Sequence, residues 1–180
     1  MSRRQVIACL ASVALLVALL LGQEPLLRLY YRVEYESAIL REAQRQGVSP
    51  HLLAAVLFTE SRFRARSESD VGARGLMQLM PDTAAEMALK EGLIEYSTSR
   101  VEEPDINIRL GTAYLAELID RFSTLEEALA AYNAGPTVVR TWREKGSGIP
   151  FEETRAYVEN VKRHKAALQR LYPDWESSSR

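Results

Sequence analysis

A chain of 180 residues, 47% hydrophobic and 26% charged, has room for one packed domain and a small appendage. Its formal net charge of −1 supplies no basic field and argues against a nucleic-acid partner. One cysteine, Cys9, and two histidines far apart, His51 and His164, exclude an internal disulfide and a cysteine-based metal centre and make zinc improbable. Neither a metal nor a cofactor is expected.

The N-terminus begins Met1–Ser2–Arg3–Arg4 and continues into an uncharged run from Val6 to Gly22, rich in Leu, Val and Ala. Two readings compete. A cleaved secretory signal has a shorter apolar core of about 7–15 residues and a small-x-small cleavage site. Here Leu19–Leu20–Leu21–Gly22–Gln23 offers no such site, and the Ser12/Ala14 pair comes too early. The run instead approaches the roughly 17–25 residues that span a bilayer. An uncleaved anchor in the cytoplasmic membrane through residues 6–22 is the favoured reading. Arg3 and Arg4 would stay in the cytoplasm and everything from Gln23 would lie outside. The alternative is a secreted or periplasmic protein released by signal cleavage.

Helical signals dominate the remainder. Pro25 to Gln46 carries apolar residues at helical spacing and stops before Gly47. Ser49 and Pro50 form an N-cap and first-turn pair for a helix carrying Glu60. Pro81 to about Lys90 reads as a short helix closed near Gly92, and Asp105 to Phe122 as a long one. Thr124 and Glu127 have capping-box spacing and open a helix to Ala134. Pro136 starts another, ending near Gly146, and Phe151 to Leu171 is the last. No run alternates like a strand. The predicted fold class is mainly α. The predicted divisions are a membrane or signal segment (1–22), a juxtamembrane start of the first helix (23–34), a catalytic domain (35–172) and a polar tail (173–180).

Glu60 stands out chemically. It ends the uncharged run Leu52–Leu53–Ala54–Ala55–Val56–Leu57–Phe58–Thr59. In a helix, Leu53, Val56, Leu57 and Glu60 share one face. A carboxyl group in line with an apolar stripe should hold its proton to higher pH and can protonate a leaving group. The structural alternative is a solvated Glu60 paired with Arg64. No second carboxylate has a comparable setting: Asp70 and Glu68 lie in a polar loop, and neither Asp105 nor Glu153 occupies an apolar run.

Four motifs follow in order: Glu60–Ser61–Arg62–Phe63; Gly75–Leu76–Met77–Gln78, reached from Ser69 through Gly72; Ala131–Tyr132–Asn133–Ala134–Gly135–Pro136; and Glu153–Thr154–Arg155–Ala156–Tyr157–Val158. In this order and at these spacings the chain, from roughly Tyr35 to Tyr172, closely resembles the soluble-type lytic transglycosylases. These belong to a glycoside hydrolase family with the goose-type lysozyme fold. The resemblance implies a lysozyme-like α-helical domain that cleaves peptidoglycan glycan strands between N-acetylmuramic acid and N-acetylglucosamine. It implies a single acid/base, matched here by Glu60, which protonates the glycosidic oxygen and then deprotonates the C6 hydroxyl to close a 1,6-anhydro ring. The substrate's own N-acetyl group carries the charge at C1, consistent with known exceptions to the two-carboxylate rule.

The resemblance also assigns substrate contacts. Ser69 would orient the reacting sugar or the carboxyl. Met77 and Gln78 would line the cleft, Tyr132 and Asn133 would offer a ring face and an amide to the sugars, and Tyr157 would lie near the acetamido group. Glu153 would serve peptide-stem binding or structure. Each has an ordinary structural alternative: a turn serine, a core methionine, a helix-end asparagine, a packed tyrosine. Two other functions compete with the transglycosylase. One is a lysozyme-type muramidase, which needs a held water. The other is a non-catalytic glycan-binding scaffold of an envelope machine, whose partners the sequence does not name.

Overall fold

A computed structural model describes residues 2–175, leaving aside the side chains of Arg4, Ala8, Cys9, Ala11 and residues 13–22. The chain divides into two compact units, Met1–Arg32 and Val33–Arg180. The first is one helix, α1 (Arg3–Tyr30). Ser2 caps it by accepting from the Gln5 N–H, while the Gln5 side chain accepts from the Ser2 N–H. Among the described residues no helix is long and apolar enough to cross a membrane. Most side chains of the predicted anchor, and the polar end from Glu176, lie outside the described set.

The second unit comprises α2 (Glu36–Gln46), α3 (Pro50–Ser61), α4 (Pro81–Lys90), a 3₁₀ turn (Thr98–Glu102), α5 (Pro104–Arg121), α6 (Leu125–Ala134), α7 (Pro136–Glu144) and α8 (Glu152–Leu171). No strand forms among the described residues. Two isolated bridges, Glu68 with Arg74 and Arg74 with Leu79, fold the 64–80 loop back on itself.

Local chemistry explains most boundaries. Ser49 accepts from Leu52 N–H at the start of α3, and Pro50 occupies the first turn, where a missing N–H costs nothing. Thr124 accepts from Glu127 N–H at the start of α6. The Glu127 carboxylate reaches Ser123 N–H rather than that of Thr124, so the box is displaced by one residue. The predicted single helix from Pro25 to Gln46 is corrected. α1 begins 22 residues before Pro25 and runs through it, and the chain breaks between Tyr30 and Glu36. Tyr35 sits at φ 60, a left-handed conformation from which a right-handed helix cannot be continued backwards.

α3 is the core of this unit. The stripe predicted for Leu53, Val56 and Leu57 is broader than expected, since every residue from Leu52 to Phe58 is buried. A helix apolar all round must be enclosed by others. Here α2 and α8 pack directly on it. Its N-terminus is closed from the far end of the chain: His51 Nε2 lies 2.8 Å from the Tyr172 carbonyl, and the His51 ring stacks on Trp175. Glu60 lies in the last turn, where this enclosure ends.

Candidate active site

Glu60 is half-buried and reaches one described hydrogen-bond partner, the Tyr157 hydroxyl of α8, which donates to Oε1 at 2.7 Å. Burial pushes its carboxyl up from the ordinary 4.5 to about 7, with the Tyr157 bond pulling back against that rise. Arg64 does not neutralise it; its guanidinium donates instead to the Ser61 carbonyl. Burial, and next the nearby Glu60 charge, hold the Tyr157 and Tyr132 phenols well above their ordinary value. Both therefore act as neutral donors. The arrangement is a carboxyl group that keeps its proton near neutral pH and can still ionise, because one oxygen is held by a phenol.

The 64–80 loop is tied to the end of α3 next to this acid. Ser61 Oγ donates to the Leu76 carbonyl at 2.8 Å, joining the end of α3 to the Gly75–Gln78 segment. The Tyr132 hydroxyl of α6 donates to the Met77 carbonyl at 2.8 Å. Gln78 adopts a left-handed φ of 46, uncommon for a non-glycine residue. Its Nε2 holds that turn by donating to Ser67 O and Gly75 O, leaving Oε1 as an acceptor. Gln78, Met80, Thr83, Tyr114, Tyr132 and Asn133 line a cavity of about 290 Å³.

The structure thus groups the residues singled out by sequence unequally. Glu60 and Tyr157 are bonded to each other. Gln78, Tyr132 and exposed Asn133 share the cavity, and Met77 is fully buried behind it with its carbonyl on Tyr132. Ser69 Oγ accepts from Ala73 N–H at 2.9 Å and so shapes the loop. The hydrogen bond on Glu60 comes from Tyr157, not from Ser69. Glu153 is exposed in the first turn of α8.

Sequence reading missed Tyr114, whose ring lies 5.3 Å from that of Tyr132, and Asn107, whose side-chain oxygen accepts from Met77 N–H. The signal for Asn107 was present: an asparagine inside an apolar helical stretch, Ile106–Asn107–Ile108, is disfavoured unless its amide has work there. Among the described residues no His/Cys/Asp/Glu group could hold a metal. A second concavity, about 370 Å³ and lined by Ala88, Leu89, Leu93, Ile94 and Tyr96, contains none of the predicted site residues.

Residues 37–153 match the family model described as the transglycosylase SLT domain. The soluble lytic murein transglycosylase of Salmonella typhimurium is 36% identical over 143 residues, covering 73% of this chain and 22% of that protein. The membrane-bound lytic murein transglycosylase F of Desulfosudis oleivorans is 34% identical over 136 residues, covering 71% of this chain and 28% of that one. An inactive glutamate-to-glutamine mutant of the lytic transglycosylase Slt from Pseudomonas aeruginosa superposes with a TM-score of 0.73 at 38% identity, covering 81% of this chain and 25% of that chain. The chain spans about a quarter of the length of these relatives. With more than half its residues inside the domain model and its helices following a solved member, this chain belongs to the SLT transglycosylase family and has its lysozyme-like α-helical fold.

Proposed function

We propose that the protein is a peptidoglycan lytic transglycosylase in which Glu60 alone serves as acid and then base. The observation that carries this reading is a Glu60 carboxyl raised to about 7 by burial and bonded, among the described residues, to a phenol alone. Protonated Glu60 gives its proton to the oxygen joining N-acetylmuramic acid to N-acetylglucosamine, and the C1–O bond breaks. The muramic acetamido oxygen stabilises C1. The Glu60 carboxylate then takes the C6 hydroxyl proton as O6 bonds to C1, closing the 1,6-anhydro ring and restoring the acid. No water enters the products. Gln78, Tyr132 and Asn133 hold the glycan in the 290 Å³ cavity. Ser69 and Met77 set the loop behind them, Tyr157 tunes the acid, and Glu153, exposed at the start of α8, serves peptide-stem binding or structure.

Digestion of purified sacculi, followed by mass spectrometry, tests the reading. Anhydromuramic ends that vanish in Glu60→Gln are expected. Reducing ends would mean a muramidase, and unchanged sacculi bound by the wild type would mean a glycan-binding scaffold.

We further propose that residues 6–22 anchor the protein in the cytoplasmic membrane, with residues 35–172 as the catalytic domain outside, 23–34 as the juxtamembrane lead and 173–180 as a tail. The support is the charge-free run behind Arg3–Arg4 and its place in a 28-residue helix, about 42 Å long at 1.5 Å per residue. Resistance to carbonate extraction is expected. Recovery of a mature chain beginning after residue 22 would restore signal cleavage.

A further inference from the structure

Asn107 is fully buried in the second turn of α5 and spends its whole amide on main-chain groups. Its Oδ1 accepts from Met77 N–H at 2.7 Å. Its Nδ2 donates to Val101 O at 2.7 Å and to Arg74 O at 3.1 Å. The opposite amide orientation would set a donor against Met77 N–H and an acceptor against two carbonyls, so the three bonds fix one rotamer.

The glycines of this region fit that amide. Gly75 has φ 82, and a Cβ there would collide with the Asn107 amide. A Cβ at Gly111, one turn along α5 on the same face, would collide with the Met77 side chain. Met77 is thus held on both main-chain groups: its N–H by α5 and its carbonyl by Tyr132 of α6. Leu76 is held by Ser61, beside Glu60. Among the described side chains from outside the segment that pin it, Ser61, Tyr132 and Asn107, only Asn107 neither neighbours Glu60 in sequence nor lines the cavity.

Resting on the transglycosylase reading above, we infer that Asn107 is a positioning residue for glycan binding: it sets the Gly75–Gln78 segment and so aims the Gln78 acceptor into the cavity. An apolar side chain would fill the space equally well. It would leave Met77 N–H, Val101 O and Arg74 O without this partner and let the segment drift. The sugar hydrogen bonds that a misaimed Gln78 would lose, with those it disturbs beside it, are together worth about tenfold to a hundredfold in binding.

The test uses the full chain and two probes, soluble glycan strands for turnover and chitotetraose for binding, with Asn107→Ala and Asn107→Asp as variants. For a folded Asn107→Ala, KM and the chitotetraose Kd should rise by about tenfold to a hundredfold. The saturated rate should change much less, and the alkaline limb of its pH profile should stay in place, because the Glu60–Tyr157 pair is untouched. Asn107→Asp keeps an acceptor for Met77 N–H and regains one donor when protonated. Its KM defect should therefore shrink as pH falls, while the wild-type KM shows no such recovery. A folded alanine variant with wild-type KM and Kd overturns the inference. So do losses in both variants that merely follow the unfolded fraction, or failure of both to fold. If the wild type neither cleaves the strands nor binds chitotetraose, the transglycosylase reading itself has failed, a result obtained before any variant is compared.

Discussion

The unit from Val33 onward buries carboxylates in two places and treats them in opposite ways. At the end of α3, Glu60 meets one phenol and no cation among the described residues, and burial raises its pKa to about 7. Between α2, α4 and α5, Glu91 is 11% exposed at its side chain, yet Arg45 and Arg109 reach its Oε2 at 2.6 and 2.9 Å and Gln46 its Oε1 at 2.8 Å. Burial works against the Glu91 charge as well, but the bonds from Arg109, Arg45 and Gln46 outweigh it and its pKa falls. Glu42, also buried, is bonded by Arg41 and Arg45. Burial alone therefore does not raise a carboxyl's pKa. Burial without an arginine partner does, because only an unpaired carboxyl gains by keeping its proton.

Replacing Glu60 should have the largest consequence. Glu60→Gln keeps the shape and removes the transferable proton, so turnover should fall by at least about 10²–10⁴-fold with the helical circular-dichroism spectrum intact. A folded variant that still releases anhydromuropeptides at a near-normal rate would send the search to Glu153 and Asp70. The same substitution has a stability signature. A carboxyl raised from 4.5 to about 7 binds a proton more tightly in the folded state than in the unfolded state. Its penalty is absent below 4.5, grows between 4.5 and about 7, and levels off above. Glu60→Gln should remove that slope and be more stable than the wild type at pH 8, by at most about 3 kcal/mol. Identical urea-denaturation profiles across pH for the two proteins would mean the acid is not perturbed.

Glu91→Gln should do the reverse. It leaves Arg109 facing a neutral amide and should cost about 1–3 kcal/mol, discounted because Arg45 and Arg109 are over a third exposed. Turnover at saturating substrate should not change. Because the Glu91 pKa is depressed, its contribution is present above the unfolded carboxylate range and is lost as pH falls through the folded value. The two regions therefore give opposite slopes of stability with pH. A Glu91→Gln protein that is fully stable but inactive would undo the division of labour.

How far this division was legible in the sequence depends on the distance between partners. Glu60 was visible as the one acid ending a charge-free run, and Ser49–Pro50, Thr124 and Pro136 marked helix starts because capping is local. The break before α2 was not visible. No proline or glycine marks it, and Tyr35 adopts its left-handed φ within the tertiary fold. The Glu60 donor lies 97 residues away, so spacing arguments could not pair it with Tyr157. The Asn107 clamp spans 30 residues to Met77 and was missed for the same reason. The arginine cluster was equally hidden, since Arg45, Glu91 and Arg109 come from three separate elements.

Tyr157→Phe sharpens the contrast from the donor side. The phenol stabilises the charged form of Glu60 and opposes the effect of burial. Without it the Glu60 pKa should climb above about 7. The alkaline limb of turnover, which reports the loss of the proton needed for the first step, should then move to higher pH. Turnover should fall at the same time, because the carboxylate formed after protonation of the leaving group is less well held. A limb that stays in place, with activity reduced only in proportion to lost folding, would return Tyr157 to a packing role.

The smallest expected effect lies at the cavity rim, where neither burial nor charge pairing operates. Asn133 is exposed in the last turn of α6, just before Gly135, whose φ of 93 ends the helix. Its side chain lines the cavity beside Tyr132 and Gln78. An exposed amide loses little on replacement, so Asn133→Ala should lower the melting temperature only slightly, with a stability change within about 0.5 kcal/mol. A hydrogen bond to a neutral sugar group is worth about 0.5–1.5 kcal/mol, so affinity for the glycan should fall by roughly 2–13-fold. The two readouts separate the roles. A helix-terminating asparagine would move melting and leave KM alone, whereas a glycan contact moves KM and leaves melting alone. If Asn133→Ala loses activity only in step with unfolding, the rim contributes shape and not contact, and glycan recognition rests on Gln78 and Tyr132.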